Sequence, residues 1–185
     1  MIVTEIKPKD FLDDLEDIFT VRGAEEYLGE AVSMAEHMIQ TALNAERDGA
    51  DDALIAACLL HDIGHFVDPA PDASDWHRHH DEAGAAFLAD HFGPDVTQPT
   101  RLHVDAKRYL CAVEPDYFDR LSPASVLTLE KQGGPMNEEE IQAFEANPFH
   151  KDACCLRRWE EEGKKTDIDC PDFASFRPLL ERVRT

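Results

Sequence analysis

The sequence is poor in positive charge, in paired cysteines and in long apolar runs. It has 18 Lys and Arg against 39 Asp and Glu in 185 residues, a formal net charge of −21. A chain so acidic repels phosphate backbones and anionic headgroups, which excludes general nucleic-acid or membrane-surface binding. No apolar run approaches the length of a membrane span. The start, Met1-Ile2-Val3-Thr4-Glu5, has no basic stretch followed by an apolar one, so no secretory leader is expected. The five cysteines are odd in number, form no Cys-x-x-Cys pair and include the adjacent Cys154 and Cys155. That pattern predicts reduced thiols and a cytoplasmic location, and excludes a disulfide frame or a thiolate zinc site. What is present is a 43% hydrophobic share, enough for a packed core, and nine histidines, most of them between His37 and His103.

The segments read as helix after helix, with no hairpin or alternating pattern, which predicts an all-α bundle in a single domain over 1–185. A short amphipathic helix is expected from Asp10 to Phe19. A long one follows from Ala24 to about Arg47. Asp51 or Asp52 caps a third, through Leu54-Ile55-Ala56-Ala57-Cys58-Leu59-Leu60 to about His65. Its apolar face is too broad for a surface helix, so it belongs at the centre. Residues 66–76, with three Asp and two Pro, read as a mobile loop. Further helices are expected from His79 to Phe92, Pro99 to Val113, Ser122-Pro123 to Gly133-Gly134, and from Asn137, where Glu140 completes a capping box. Asn147-Pro148 opens another, to about Gly163, and a last one spans Phe173 to Val183.

His61-Asp62-Ile63-Gly64-His65 is the strongest feature. Adjacent His and Asp point about 100° apart on a helix, so both reach one metal only near a helix end. Here they end a buried apolar helix, where an unpartnered Asp and two His would be costly and a metal would remove the cost. The plainer alternative is a histidine offsetting a helix dipole. Tyr27, Glu30, Met34 and His37 share one face of the expected Ala24–Arg47 helix, an arc of about 80°. His103 and Lys107, four apart, share a face of the Pro99–Val113 helix. His77 and His91 read as surface histidines. Asp152, taken alone, reads as a favourable carboxylate in the first turns of its helix.

Together His37, His61-Asp62 and Asp152 resemble the H…HD…D motif of the HD-domain superfamily, and His80 and His103 match members that hold two metals. His80 is preferred to His79 because Gly84 follows it at the spacing of that pattern. With Tyr27-x-x-Glu30, His65 and Lys107, the chain from about Ala24 to Gly163 resembles the mixed-valent diiron oxygenases of the PhnZ and TmpB type. These cleave the carbon–phosphorus bond of 1-hydroxyphosphonates, and myo-inositol oxygenase is a more distant relative. The resemblance implies two irons, Fe(II)/Fe(III), with O2 as co-substrate. His37, His61, Asp62 and Asp152 would hold one, and a bridging Asp62 with His80 and His103 the other. Imidazole and carboxylate donors suit iron and leave positions open. One iron would act as Lewis acid on the substrate oxygens and the other would bind oxygen. The oxidation draws all its electrons from the substrate, so no reductant is implied.

The other residues then take expected roles. Lys107 meets the phosphonate, and Ser125 adds a hydroxyl and amide contact. His65 hydrogen-bonds substrate or an oxygen species. Tyr27 occupies an iron site until substrate displaces it, and Glu30 lies near the substrate amine. Arg157 and Arg158 read equally as anion partners or structural charges. Trp76, Phe66 and Tyr27 flank the motifs, and aromatic faces suit a quaternary nitrogen. They favour (R)-1-hydroxy-2-(trimethylamino)ethylphosphonate, giving glycine betaine and phosphate. The alternatives are 2-amino-1-hydroxyethylphosphonate giving glycine, and a metal-dependent HD phosphohydrolase needing only the four-residue motif. A non-catalytic sensor or a cyclitol oxygenase ranks below these. The expected partner is a small organophosphonate, and the oligomeric state is not legible.

Overall fold

The computed structural model describes residues 10–24, 31–67 and 79–185. The described residues form ten α-helices and no strand, with one isolated antiparallel bridge between Phe92 and Arg184. The all-α expectation is met, and each of the five cysteines is a free thiol.

Helix α1 (Phe11–Asp17) continues into one π-turn at Ile18–Arg22. The helix expected from Ala24 to Arg47 is shorter. Ser33 is extended at ψ 161° and caps α2 (Met34–Arg47) through a complete capping box with Glu36. The helix expected to run unbroken from Ala24 is interrupted at Ser33, because local capping overrides the Ala- and Glu-rich composition. Tyr27, Glu30, Trp76 and His77 lie outside the described residues.

Asp51 caps α3 (Asp52–Leu60), accepting from the Leu54 amide at 2.9 Å. Ile55 through Leu60 are all buried, as the broad apolar face requires. α3 lies among α2, α6 (Pro94–Val113), α9 (His150–Glu162) and α10 (Arg177–Val183), and α2 also packs on α9. Each fully buried Leu or Ile here contributes about 1.5–3 kcal/mol, so this contact sets the frame. α6 begins at Pro94, five residues before the expected Pro99, which sits inside the helix.

Short α4 (Gly64–Val67) crosses α5 (His80–Leu88) at a backbone-to-backbone approach. A Cβ at Gly64 would lie 1.7 Å from the His80 carbonyl oxygen, and one at Gly84 3.1 Å from the Gly64 nitrogen. No side chain fits between them.

Helices α7 (Pro123–Lys131) and α8 (Glu138–Glu145) open with the expected Ser122 cap and Asn137–Glu140 capping box. Gly133 and Gly134 follow α7 at φ 106° and 75°, the left-handed region glycine tolerates. Asn147-Pro148 precedes α9 as a turn rather than opening it. Asn147 Oδ1 accepts from the Phe149 amide, and the helix starts at His150. A 3-10 turn (Phe173–Phe176) leads into α10, close to the expected last helix.

Candidate metal centre and anion pocket

The end of α3 delivers His61 and Asp62 into the middle of the bundle. His61 is the C-cap and Asp62 lies in the turn that follows, so two adjacent side chains serve one centre, as the helix-end argument requires. α2 contributes His37, α4 His65, α5 His80 and α6 His103. His37, His61, Asp62, His80 and His103 are all buried.

The Asp62 carboxylate divides them. Its Oδ2 lies 3.8 Å from His37 Nε2 and 3.3 Å from His61 Nε2. Its Oδ1 lies 3.4 Å from His80 Nε2, 3.5 Å from His103 Nε2 and 3.7 Å from His65 Nε2. One carboxylate thus addresses two separate histidine sets. His80, and not His79, is the inward histidine, while His79 is exposed.

Three of the imidazoles are fixed from behind. His37 Nδ1 meets the Gly163 carbonyl at 2.8 Å, His61 Nδ1 the Cys58 carbonyl at 2.8 Å, and His103 Nδ1 the Thr100 carbonyl at 2.6 Å. A carbonyl only accepts, so each Nδ1 carries the hydrogen. In the neutral ring Nε2 is then a bare lone pair aimed at a carboxylate. That arrangement is repulsive unless a proton or a metal cation stands between, and it is how metal-binding histidines are ordinarily oriented. Burial pushes His37 down to about 4, with His61 adding to the effect. Burial also opposes charge on His61, but the Asp62 carboxylate outweighs it and holds that imidazole up at about 9. Asp62 stays well below the usual carboxylate range, because the surrounding imidazoles outweigh its burial.

The carboxylate that joins His37 and His61 is Glu160. Its ligand oxygen and their ring nitrogens all lie within 4.8 Å of one another. Glu160 Oε1 pairs with Arg157 Nη1 at 2.6 Å. Its Oε2 is buried with no hydrogen-bond partner among the described residues. Such an orphaned acceptor, with an all-nitrogen-and-oxygen donor set, fits a first-row metal such as iron. The expected Asp152 is not at this centre. It lies in the first turn of α9, half-exposed, where the charges it feels are those of Asp51, Asp95 and His150. Asp51 caps the opposite end of α3 from His61, about 13–15 Å along the helix. Asp152 therefore serves the helix N-terminus, as its sequence position taken alone suggests.

Beside the histidines opens a cavity of about 190 Å3. His65, His80 and His103 form one wall, and Lys107, Ser125, Thr128, Arg157 and Lys164 another. Lys107 donates to Thr128 Oγ1 at 2.8 Å. Burial, with Arg157 nearby, lowers Lys107 to about 7. Burial alone would also lower Arg157, but Glu160, Tyr117 and Glu161 keep it firmly charged.

Ser125 is at this wall, though its groups are engaged. Its hydroxyl donates to Glu161 Oε2 at 3.0 Å, and its amide donates to Ser122 Oγ at 3.1 Å. His65 stacks on His80 at 4.0 Å between ring centroids and faces the cavity. Arg158 is directed away, into an ion pair with Glu114. The Phe66 ring already carries the Arg22 guanidinium at 5.4 Å, so the argument for Phe66 as a surface for quaternary nitrogen lapses.

Glu160, Thr128 and Lys164 are the site residues that sequence reasoning missed. Only Glu160 had a signal. Ala153, Leu156, Arg157 and Glu160 recur at i, i+3, i+4 and i+7, one inward stripe of α9.

The HD domain family matches over residues 34–150. The chain is 45% identical over 186 residues to the [1-hydroxy-2-(trimethylamino)ethyl]phosphonate dioxygenase (glycine-betaine-forming) of Leisingera caerulea, covering 98% of this chain and 94% of that protein. It is 44% identical over 161 residues to the hydroxymethylphosphonate dioxygenase of Gimesia maris, covering 84% of this chain and 79% of that one. A third relative, an uncharacterized protein of Acanthamoeba polyphaga mimivirus, is 34% identical over 85% of this chain. With the His61-Asp62 pair ringed by buried histidines and the family matching across most of the bundle, the chain belongs to the HD-domain family.

Proposed function

We propose that this chain is an iron-dependent dioxygenase that cleaves the carbon–phosphorus bond of 1-hydroxy-2-(trimethylamino)ethylphosphonate, releasing glycine betaine and phosphate. The observation that carries the reading is the divided Asp62 carboxylate, with its two histidine sets, next to a cation-lined cavity. His37, His61, Glu160 and Asp62 would hold one iron, and Asp62, His80 and His103 the other. An Fe(II)/Fe(III) pair supplies Lewis-acid and oxygen-activating chemistry when bound.

The protein's own groups do the rest. Lys107 and Arg157 balance the phosphonate charge, Lys164 adds a further cation on the same wall, and Thr128 holds the Lys107 ammonium. These cations are what lets so acidic a chain hold a dianion. His65, facing the cavity, reaches the substrate hydroxyl region, where its ring can take or return a proton. Tyr27 and Glu30 are assigned to the amine end on resemblance alone.

The trimethylammonium substrate is favoured by 45% identity across nearly the whole of both chains. The relative acting on hydroxymethylphosphonate supports the shared 1-hydroxyphosphonate chemistry but matches less of the chain. A metal-dependent phosphohydrolase needs only the four-residue motif, and the two relatives with named activities are both dioxygenases.

The test is phosphate release by iron-loaded protein from the trimethylamino, amino and unsubstituted hydroxyphosphonates, with and without O2. Oxygen-dependent phosphate, with glycine betaine seen by mass spectrometry, is the expected result. Release under strict anaerobiosis overturns the reading in favour of hydrolysis.

A further inference from the structure

We infer that Glu161 is the positioning residue of the anion pocket: one carboxylate fastens α7 to α9 and holds Ser125, Arg157 and Lys164 in place before an anion arrives. The inference rests on the reading of that pocket as the phosphonate site.

Neighbouring carboxylates on α9 have divided tasks. Glu160 turns toward His37 and His61, while Glu161, about 100° further round, turns toward α7. Arg157, one turn earlier, pairs with both, at 2.6 Å in each case. Both Glu161 oxygens are engaged on two sides. Oε1 accepts from the Ser122 amide at 2.8 Å and from Lys164 at 3.1 Å. Oε2 accepts from Ser125 Oγ at 3.0 Å and from Arg157 at 2.6 Å. Ser125 Oγ in turn accepts from Arg157 at 3.2 Å and Lys164 at 3.0 Å, closing the network.

Helix α7 needs such a fastening because it has little else. Within it only Ser125 and Leu129 are buried, and Leu127, on the cavity wall, is 53% exposed. One buried leucine contributes about 1.5–3 kcal/mol, too little to fix a nine-residue helix. Polar bonds to Glu161 and the Lys107–Thr128 bond fix it instead. Three polar groups on the pocket wall, Ser125, Thr128 and the Lys164 ammonium, thereby depend on one acid.

Simple electrostatics and positioning predict opposite signs for Glu161→Gln. Removing a negative charge beside three cations would tighten anion binding. Losing the fastening would loosen it, since small displacements of binding groups are costly. Calorimetric titration with methylphosphonate and with inorganic phosphate, on iron-loaded wild type and Glu161→Gln, separates them.

The expected result is affinity weakened by about tenfold in the variant, iron content retained, and KM rising more than kcat falls. Equal or tighter anion binding overturns the inference. Should Glu161→Gln not fold, Glu161→Asp, whose carboxylate falls one carbon short, is expected to shift affinity in the same direction by less. Unchanged or tighter binding there overturns it equally. Wild-type protein that binds methylphosphonate but releases no phosphate from any of the three hydroxyphosphonates with O2 defeats the proposed activity instead, and leaves Glu161 to the affinity ratio.

Discussion

His80 and His103 bring their Nε2 atoms within 3.0 Å of each other, over the same oxygen of Asp62. The His103 Nδ1 hydrogen is committed to the Thr100 carbonyl. Two imidazoles from different helices, converging at that distance on one carboxylate oxygen, make a donor set that a cation completes.

Asp62 faces both histidine sets, so Asp62→Ala is expected to remove both irons rather than one. Metal analysis of the purified variant should find less than about a tenth of wild-type iron. Full loading in an active variant would contradict the assignment.

Glu160→Ala should lose iron from the His37–His61 side, while Asp152→Asn should keep full iron content and activity. Asp152→Asn costs only a charge at a helix N-terminus, about 0.3–1 kcal/mol in thermal stability. The reverse pattern of metal loss would restore Asp152 to the centre.

Lys107 sets a pH dependence. With its ammonium lowered to about 7, the cation is present below that pH and fades above it, so kcat/KM for a phosphonate should fall through a limb near 7. In Lys107→Met the limb should vanish and KM rise by about tenfold or more, with iron retained. The stability sign is separate. A lysine lowered on folding destabilises the fold most fully below about 7, and the cost is relieved as pH rises toward its ordinary 10.5. Denaturant midpoints measured across that range should rise more in wild type than in Lys107→Met.

Gly64→Ala should be among the most damaging single methyl additions. The new Cβ would meet backbone, the His80 carbonyl oxygen at 1.7 Å, so α4 and α5 must part and carry His80 away from Asp62. A loss of about 3 kcal/mol or more and poor iron loading are expected. Gly134→Ala, where a Cβ meets nothing within 4 Å, should cost about 1 kcal/mol through its positive φ alone and leave iron unchanged. Comparable effects at both positions would mean the close approach is not what seats His80.

Local chemistry made much of this legible from the chain. Ser122-Pro123, Asn137–Glu140 and the Asp51 cap are short-range signals and define helix starts. His61-Asp62 was legible because two ligands in a row must sit at a helix end. Glu160 was hidden because Arg157-Arg158-Trp159-Glu160-Glu161 looks like a solvated charge run, which masks the helical stripe of Ala153, Leu156, Arg157 and Glu160 that faces inward. Ser33 was overlooked for the opposite reason. Its capping box opens α2 inside a stretch whose composition favours one continuous helix.

The bond from His37 to the Gly163 carbonyl spans 126 residues. A ribosome that has completed α5 has already made His37, His61, Asp62 and His80, yet neither the carbonyl that aims His37 nor Glu160. The nascent chain thus carries most of the groups proposed to hold iron without the means to arrange them. Ordering of this centre therefore waits for α9, and truncation before Gly163 should leave a histidine-rich chain that lacks the bond aiming His37.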